Sequence, residues 1–288
     1  MANAKTNVIY SFSAEHKPVA EIASGETLVV ETADCFNGQV HSEEQDLAKV
    51  DFSRGNPATG PFYINNANPG DGLQIEILEI KLAERGVIIV APGQGVLEDI
   101  TEPKVRVLEL AGNFARFTEN ITIPVRPMVG VIGIAPAEGS VDTTCPGKHG
   151  GNLDCKELSP GNKIILPVAH SGGLLALGDV HAAMGDGELA GCALEAGAEV
   201  KLRIDILPGQ APEHPRIVTE KGTIILASAS STDAALREAA REAVLLLAEE
   251  HSLSYAEAYM LAGSVCDLGL SQVVNPLKTA KIFVPRLV

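Results

Sequence analysis

The residues with most chemistry to offer lie between Cys145 and Glu195, in two glycine-rich blocks. The first reads Gly147-Lys148-His149-Gly150-Gly151-Asn152-Leu153-Asp154. The second reads Gly178-Asp179-Val180-His181-Ala182-Ala183-Met184-Gly185-Asp186-Gly187-Glu188. Asp179 and His181 are two residues apart, so a strand continuing through Gly178 in extended geometry sends both side chains to one face. A carboxylate and an imidazole so placed can share a divalent ion, and Zn2+ accepts both ligand types. The plainer reading is a turn aspartate beside a hydrogen-bonded surface histidine, because the D-x-H spacing also arises by accident.

The first block follows a different logic. Gly150 and Gly151 let a backbone approach a ligand closely and offer N–H groups to a developing oxyanion. Asp154, two residues beyond Asn152, is a further candidate ligand. A tight turn followed by an ordinary strand reads equally well, and Asp186-Gly187-Glu188 reads equally as a polar hairpin turn. Cys155 follows Asp154, but neighbours on a strand point to opposite faces, so the carboxylate cannot activate the thiol there. Cys35 after Asp34 has the same weakness. No GxSxG elbow, HExxH helix or P-loop is present, and Gly93-Gln94-Gly95 is too short for a dinucleotide fingerprint.

The elements that must carry these blocks are mostly strands. Leu28, Val30, Thr32 and Asp34 alternate onto one face, and Val200, Leu202, Ile204 and Ile206 do the same within Glu199 to Leu207. The run Gly72 to Leu82 is expected to pair with Gly86 to Ala91. Lys163 to Val168 and Leu174 to Gly178 flank His170-Ser171-Gly172-Gly173 and read as a hairpin joining the two blocks at one sheet end. Arg216 to Ser230 reads as a second hairpin, turning at Glu220-Lys221-Gly222. Val125 to Ile134 is another strand candidate.

The tail reads as helical. Ser231-Thr232-Asp233 supplies a start, with Leu236, Ala240, Ala243, Val244 and Leu247 as an apolar stripe. Ser254 and Glu257 form a capping box for a second helix, and Lys281 to Val288 reads as a closing strand. The expected fold is mainly β (α+β): a β-sandwich or barrel-like body with a smaller α/β portion carrying the C-terminal helices. Residues 1–145 would form a strand-rich N-terminal part, and 146–288 the glycine-rich blocks with the α/β part, closely packed.

Composition agrees with a strand-rich body. Hydrophobic residues at 45% support a buried core, while 28 glycines and 17 prolines supply many turns. A formal charge of −15 without any Lys/Arg cluster argues against nucleic acid and anionic lipid as partners. No apolar run approaches the ~18–20 residues that span a bilayer. Five scattered cysteines give neither a disulfide framework nor a CxxC pair, so a reducing, cytoplasmic location is expected.

Several blocks taken together resemble the acetamidase/formamidase family. They are Thr32-Ala33-Asp34-Cys35-Phe36, Asn56-Pro57-Ala58-Thr59-Gly60-Pro61, Met128-Val129-Gly130 through Ala135-Pro136, and the His149–Asp154 and Gly178–Glu188 blocks. They stand in the family's order from about Asp34 to Glu195, with weaker similarity to the end. The resemblance implies hydrolysis of formamide, acetamide or similar short amides to ammonia and a carboxylate. It also implies a mostly-β architecture with an additional α/β portion and a homodimer or higher homo-oligomer. The polar positions of the two glycine-rich blocks become the expected active-site floor. Two departures bear on substrate choice: the chain is shorter than the long formamidases, and Met184 stands where many relatives have Gln.

On that footing the expected metal ligands are Asp34, Asp154, Asp179 and His181, around Zn2+ or, given the clustered carboxylates, Ca2+. Glu188 is the expected general base, and N–H groups near Gly150 and Gly151 the expected oxyanion donors. Two alternatives stand beside this reading: a metal-free amidase with a cysteine nucleophile, and a non-catalytic β-sandwich that binds a small ligand or calcium.

Overall fold

The computed structural model of the protein describes residues 7–287. One sheet has eight antiparallel strands, in the order Asp267–Gln272, Lys278–Pro285, Gly222–Ala229, Arg216–Val218, Lys163–Pro167, Gly72–Leu82, Ala198–Leu207 and Thr27–Thr32. The second is an eleven-stranded, branched sheet centred on Leu175–Ala183. The main core fills the space between them. Ile75, Ile77, Ile164, Val200, Leu202 and Ile204 from the first sheet meet Phe62, Ile64, Val129, Leu177 and Val180 from the second, all fully buried. The molecule is therefore a β-sandwich whose inner faces carry the alternating apolar residues.

Helices cover the outer face of the eight-stranded sheet. Along Gly222–Ala229, Ile224 and Leu226 enter the inter-sheet core while Ile225 and Ala227 enter a second core under the helices. That two-sided burial explains why this strand is apolar throughout. Helix α1 (Thr232–His251) starts at Ser231, whose hydroxyl accepts from Ala234 N–H at 3.3 Å. Ala243, Val244 and Leu247 of the expected stripe are fully buried, together with Ala235 and Ala239, while Leu236 and Ala240 are half-buried beside them. Helix α2 (Tyr255–Val265) carries the Ser254–Glu257 capping box.

Four expectations need correction. Lys163–Pro167 and Leu175–Ala183 do not form a hairpin: they lie in different sheets, and the intervening turn is tied by Gly172 to Ile64 and Ala67. Gly72–Leu82 does not pair with Arg85–Val90, because its two edges are taken by Lys163–Pro167 and Ala198–Leu207. The closing strand begins at Lys278 and ends at Pro285, and Val288 lies outside the described residues. A division at residue 145 does not separate two bodies. Thr27–Thr32 and Gly72–Leu82 flank Ala198–Leu207, and Met128–Gly133 pairs with Leu175–Ala183.

Candidate active site

The central strand Leu175–Ala183 keeps Met128–Gly133 along one edge but changes partner on the other. Gly178 faces Ala58 of Ala58–Ile64, and His181 faces Glu195 of the short strand Leu194–Glu195. Asp179 sits at the changeover with φ of 53°, so the strand is not extended there. The expected shared face arises instead from a kink, which brings Asp179 Oδ1 within 3.5 Å of His181 Nε2.

Three more carboxylates converge on this kink. Glu195 Oε2 lies 3.3 Å and Asp154 Oδ1 3.8 Å from His181 Nε2. Asp154 follows the strand Gly150–Asn152 at φ 41°, its N–H reaching Gly130 O at 3.3 Å. Glu188, at φ 49° in the loop after Ala183, joins Asp154 and His181, with one ligand atom from each within 4.8 Å of the others. Cys35, Asp179 and Glu195 form a second such group. Gly130 makes the crowding possible, because a Cβ there would sit 2.7 Å from Asp154 Oδ1 and 2.9 Å from Asp179 Oδ2.

Asparagines hold the carboxylates in place. Asn56 Nδ2 donates to Asp179 Oδ2 at 3.1 Å, and Asn275 Nδ2 to Asp154 Oδ2 at 2.6 Å. With its amide nitrogen turned toward the acids, as the surrounding partners require, Asn152 donates to both Asp154 and Asp179 at 3.0–3.1 Å. Yet several buried atoms have no aligned hydrogen-bond partner among the described residues: Asp179 Oδ1, Glu195 Oε2 and both ring nitrogens of His181.

So many acids cannot all ionise together in a buried space. Burial and the Asp179 charge push Asp154 up to about 6. Burial, with Asp154 and Asp179 nearby, pushes Glu188 up to about 11. Burial and Asp179 hold Glu195 well above the carboxylate range. Burial works against charge on His181, but the Asp179 and Asp154 carboxylates outweigh it and raise the imidazole. A divalent cation fits this donor set: it would relieve the repulsion and give the orphaned oxygens and imidazole nitrogen a common partner.

Other expected residues sit differently. Asp34 is near Asp179, but its Oδ1 accepts from Phe36 and Gly38 N–H, each at 2.9 Å, and so holds a turn. Gly150 and Gly151 pair with Gly133 and Ile132 in a ladder, and Gly150 N–H donates to Gly147 O at 3.1 Å. That N–H is already satisfied, and the glycines position Asn152 and Asp154 rather than line the cavity. Sequence reasoning missed Glu195, Asn56 and Asn275 as contributors. Asn56 stood in one of the family-like blocks, whereas Glu195 and Asn275 carry no spacing signal.

The thiols divide in the same way. Cys155 is fully buried, donates to Glu157 Oε2 at 3.1 Å, and is pushed up by burial. Cys35 and Cys192 lie together against the acid cluster. Burial holds Cys35 well above its ordinary value, while its hydrogen bond to Cys192 lowers the latter.

A cavity of about 190 Å3 opens onto the cluster, lined by Asn152, Asp179, Glu188, Cys192, Glu195 and Gln94 among others. It is smaller than the roughly 300–1,000 Å3 of pockets for drug-sized ligands. A larger hollow of about 600 Å3 lies beside Lys281, but that ammonium is already bound by Glu157 and Asp186. Another, of about 540 Å3, opens beside Met184 and Leu189 and shares Glu188 and Cys192 with the small cavity.

The sequence profile of the Acetamidase/Formamidase family matches the chain in two segments, residues 2–142 and 137–287. The chain belongs to the Acetamidase/Formamidase family. This family member superimposes on an acetamidase of Bacillus halodurans with a TM-score of 0.95 and 42% identity, covering 97% of this chain and 95% of that one. An acetamidase of Yersinia enterocolitica gives a TM-score of 0.93 at 27% identity, over 98% of this chain and 89% of that one. A formamidase of Methylophilus methylotrophus is 23% identical over 66% of this chain and 61% of its own length. The chain spans about three fifths of the length of the curated relatives it matches. Among the described residues no helix is long and apolar enough to cross a membrane.

Proposed function

We propose that this family member hydrolyses short aliphatic amides to ammonia and a carboxylate, with a divalent ion held at the acid cluster. The observation that carries the proposal is His181 ringed by Asp154, Asp179 and Glu195, with orphaned ligand atoms beside a small cavity. Family membership supplies the substrate class. The small cavity suits a molecule of a few heavy atoms.

His181, Asp154, Asp179 and Glu195 would hold the ion, with Glu195 in the place first expected for Asp34. An imidazole among the donors favours Zn2+ over Ca2+, which draws an all-oxygen shell. When bound, such an ion lowers the pKa of water toward ~7 and polarises a carbonyl. The chain's own groups supply the proton traffic. Glu188 flanks Asp154 and His181 at the cavity wall, and its raised carboxyl is suited to hold a proton there. With the cluster's charge balanced, Glu188 would accept the proton of the attacking water. It would then return that proton to the nitrogen as the C–N bond breaks, so that ammonia leaves. Asn152, Asn56 and Asn275 hold the acids still during these transfers.

A second reading rests on Cys192, whose thiol is lowered and lines the cavity. There Cys192 would attack the amide carbon and no ion would be needed. Exhaustive chelation separates the two. The metal reading expects ammonia release from acetamide to vanish after chelator dialysis and return with Zn2+. Activity that survives chelation and is abolished by a thiol reagent would replace it with the cysteine reading.

A further inference from the structure

We propose that the acid cluster takes a second, thiophilic divalent cation beside the first, bound by Cys35 Sγ together with Asp179 and Glu195; this rests on the metal reading above. The ligating side chains fall into two groups with no residue in common: Asp154, His181 and Glu188 in one, Cys35, Asp179 and Glu195 in the other. Within each group, one ligand atom per residue lies within 4.8 Å of the others. All three members of the second group are buried, and all three line the small cavity, which gives an ion a way in.

Each acid of the second group has one oxygen tied down and one without a partner. Asp179 Oδ2 accepts from Asn56 Nδ2 at 3.1 Å, and Glu195 Oε1 accepts from Ala193 N–H at 2.8 Å. Asp179 Oδ1 and Glu195 Oε2 are buried with no aligned hydrogen-bond partner among the described residues. A carboxylate oxygen carries two lone pairs, so these two can serve the ion beside His181 and a second one as well. Charge points the same way. Asp154, Asp179, Glu188 and Glu195 are all buried, and one divalent ion offsets only two of their four charges. The remainder must be carried as protons or met by a second ion.

The chain fixes Cys35 for this role. Asp34 Oδ1 accepts from Phe36 and Gly38 N–H, closing a turn around Cys35, and Asn56 N–H donates to Cys35 O at 2.8 Å. Asn56 thus holds Cys35 through its backbone and Asp179 through its side chain. Cys192 is committed elsewhere: its sulfur accepts from Ile89 N–H and its thiol donates to Ala193 O, each at 3.4 Å. Without an ion, Cys35 keeps its proton in the hydrogen bond to Cys192. As the sulfur–metal bond forms, that proton passes to solvent and the thiolate becomes the ligand. A thiolate beside two carboxylates selects Zn2+ or a softer divalent ion and disfavours Ca2+ and Mg2+.

The test counts metal in the full chain after chelator dialysis, reloading with Zn2+ and gel filtration to remove loosely held ions. Wild type should retain about two Zn2+ per chain, and Cys35→Ala and Cys35→Ser about one, with folding checked by circular dichroism. Co2+ in place of Zn2+ gives a direct reading, because a thiolate ligand adds a near-ultraviolet charge-transfer band. That band should appear in wild type, remain in Cys192→Ala and vanish in both Cys35 variants. The ion beside His181 stays in these variants, so stoichiometry and spectrum, rather than turnover, read the proposal. Should both Cys35 variants misfold, the wild-type band and protection of Cys35 from iodoacetamide by Cd2+ carry the test.

Wild type that holds a single ion and shows no sulfur band would overturn the second site and leave the single-ion reading standing. A band that survives in folded Cys35 variants, or is lost in Cys192→Ala instead, would equally overturn it. Wild type that retains no ion at all would overturn the metal reading, and this one with it.

Discussion

His181 Nε2 lies 3.3 Å from Glu195 Oε2 and 3.5 Å from Asp179 Oδ1, yet neither contact is aligned as a hydrogen bond. The register sets this up: His181 stands directly opposite Glu195, just past the kink that carries Asp179. Cross-strand neighbours at that spacing would normally bond or repel. Here they surround a point that a cation can occupy. His181→Ala and Glu195→Gln should each lose bound metal together with activity, by at least about 10²-fold, while circular dichroism stays unchanged. Elemental analysis beside ammonia release checks this, and full metal content in either variant would remove that residue from the site.

Gly130 gives a sharper steric test. A Cβ at this position meets Asp179 O at 2.6 Å and the carboxylates of Asp154 and Asp179 at 2.7 and 2.9 Å. Gly130→Ala must therefore push apart the acids that Asn152 holds together. We expect a stability loss of about 1–3 kcal/mol and a disproportionate loss of metal and kcat. Thermal melts read the first effect and ammonia release the second. An alanine variant with wild-type turnover would mean that the acid spacing does not matter.

The cysteines should matter little to turnover. Cys155 is buried and bonded to Glu157, away from the cavity. Cys35 reaches the acid cluster but is held as a thiol. Cys155→Ala, Cys35→Ala and Cys192→Ala are expected to keep kcat within about tenfold, with stability lowered for the buried positions. A fall on the order of 10³-fold for folded Cys192→Ala would move the nucleophilic mechanism ahead.

Much of this architecture is legible locally. Val200, Leu202 and Ile204 alternate and are fully buried, and Ser254 and Glu257 form the capping box that their spacing announces. What failed were pairings. Nothing near Gly172 says that the chain leaves one sheet for the other there, because that choice depends on edges filled by Ala58–Ile64 and Ala198–Leu207 far along the chain. The site divides similarly. Asp154, Asp179, His181 and Glu188 stand in conspicuous glycine-rich blocks and are brought together. Glu195 and Asn275 reach the same point only through strand register and a late loop, which leaves no periodic trace.

Acid should expose a second buried histidine. His149 is edge-on to Phe12, with ring centroids 5.2 Å apart, and burial pushes its pKa down to about 4 from 6.5. As pH falls, the unfolded chain takes the proton first. The stability contribution is therefore whole above pH 6.5, declines from there toward 4, and is spent below the folded value. A shift of that size corresponds to about 3 kcal/mol as an order of magnitude. Urea titrations of wild type and His149→Gln at several pH values between these limits should show a shallower decline in the variant. Parallel curves would place the acid sensitivity elsewhere, among the buried carboxylates.

Substrate size should be read out gradually rather than by a sharp cut-off. Formamide and acetamide carry few groups for the protein to hold, so little remote binding energy is available and affinity should be weak. The cavity of about 190 Å3 must then discriminate mainly by excluding bulk. Each methylene that fits poorly changes specificity by only ~1–3 kcal/mol, which predicts a graded series and not an abrupt one. The highest kcat/KM is expected for amides of one to three carbons, falling steadily as the acyl chain lengthens. The formal charge of −15 adds an independent expectation, because a neutral substrate feels no steering field. Ionic strength should therefore leave kcat/KM for acetamide nearly unchanged wherever the protein stays folded and metal-loaded. Efficient cleavage of an aryl amide or a peptide, with formamide and acetamide inert, would show that the substrate enters through the larger hollow beside Met184 and that the small cavity is not its seat.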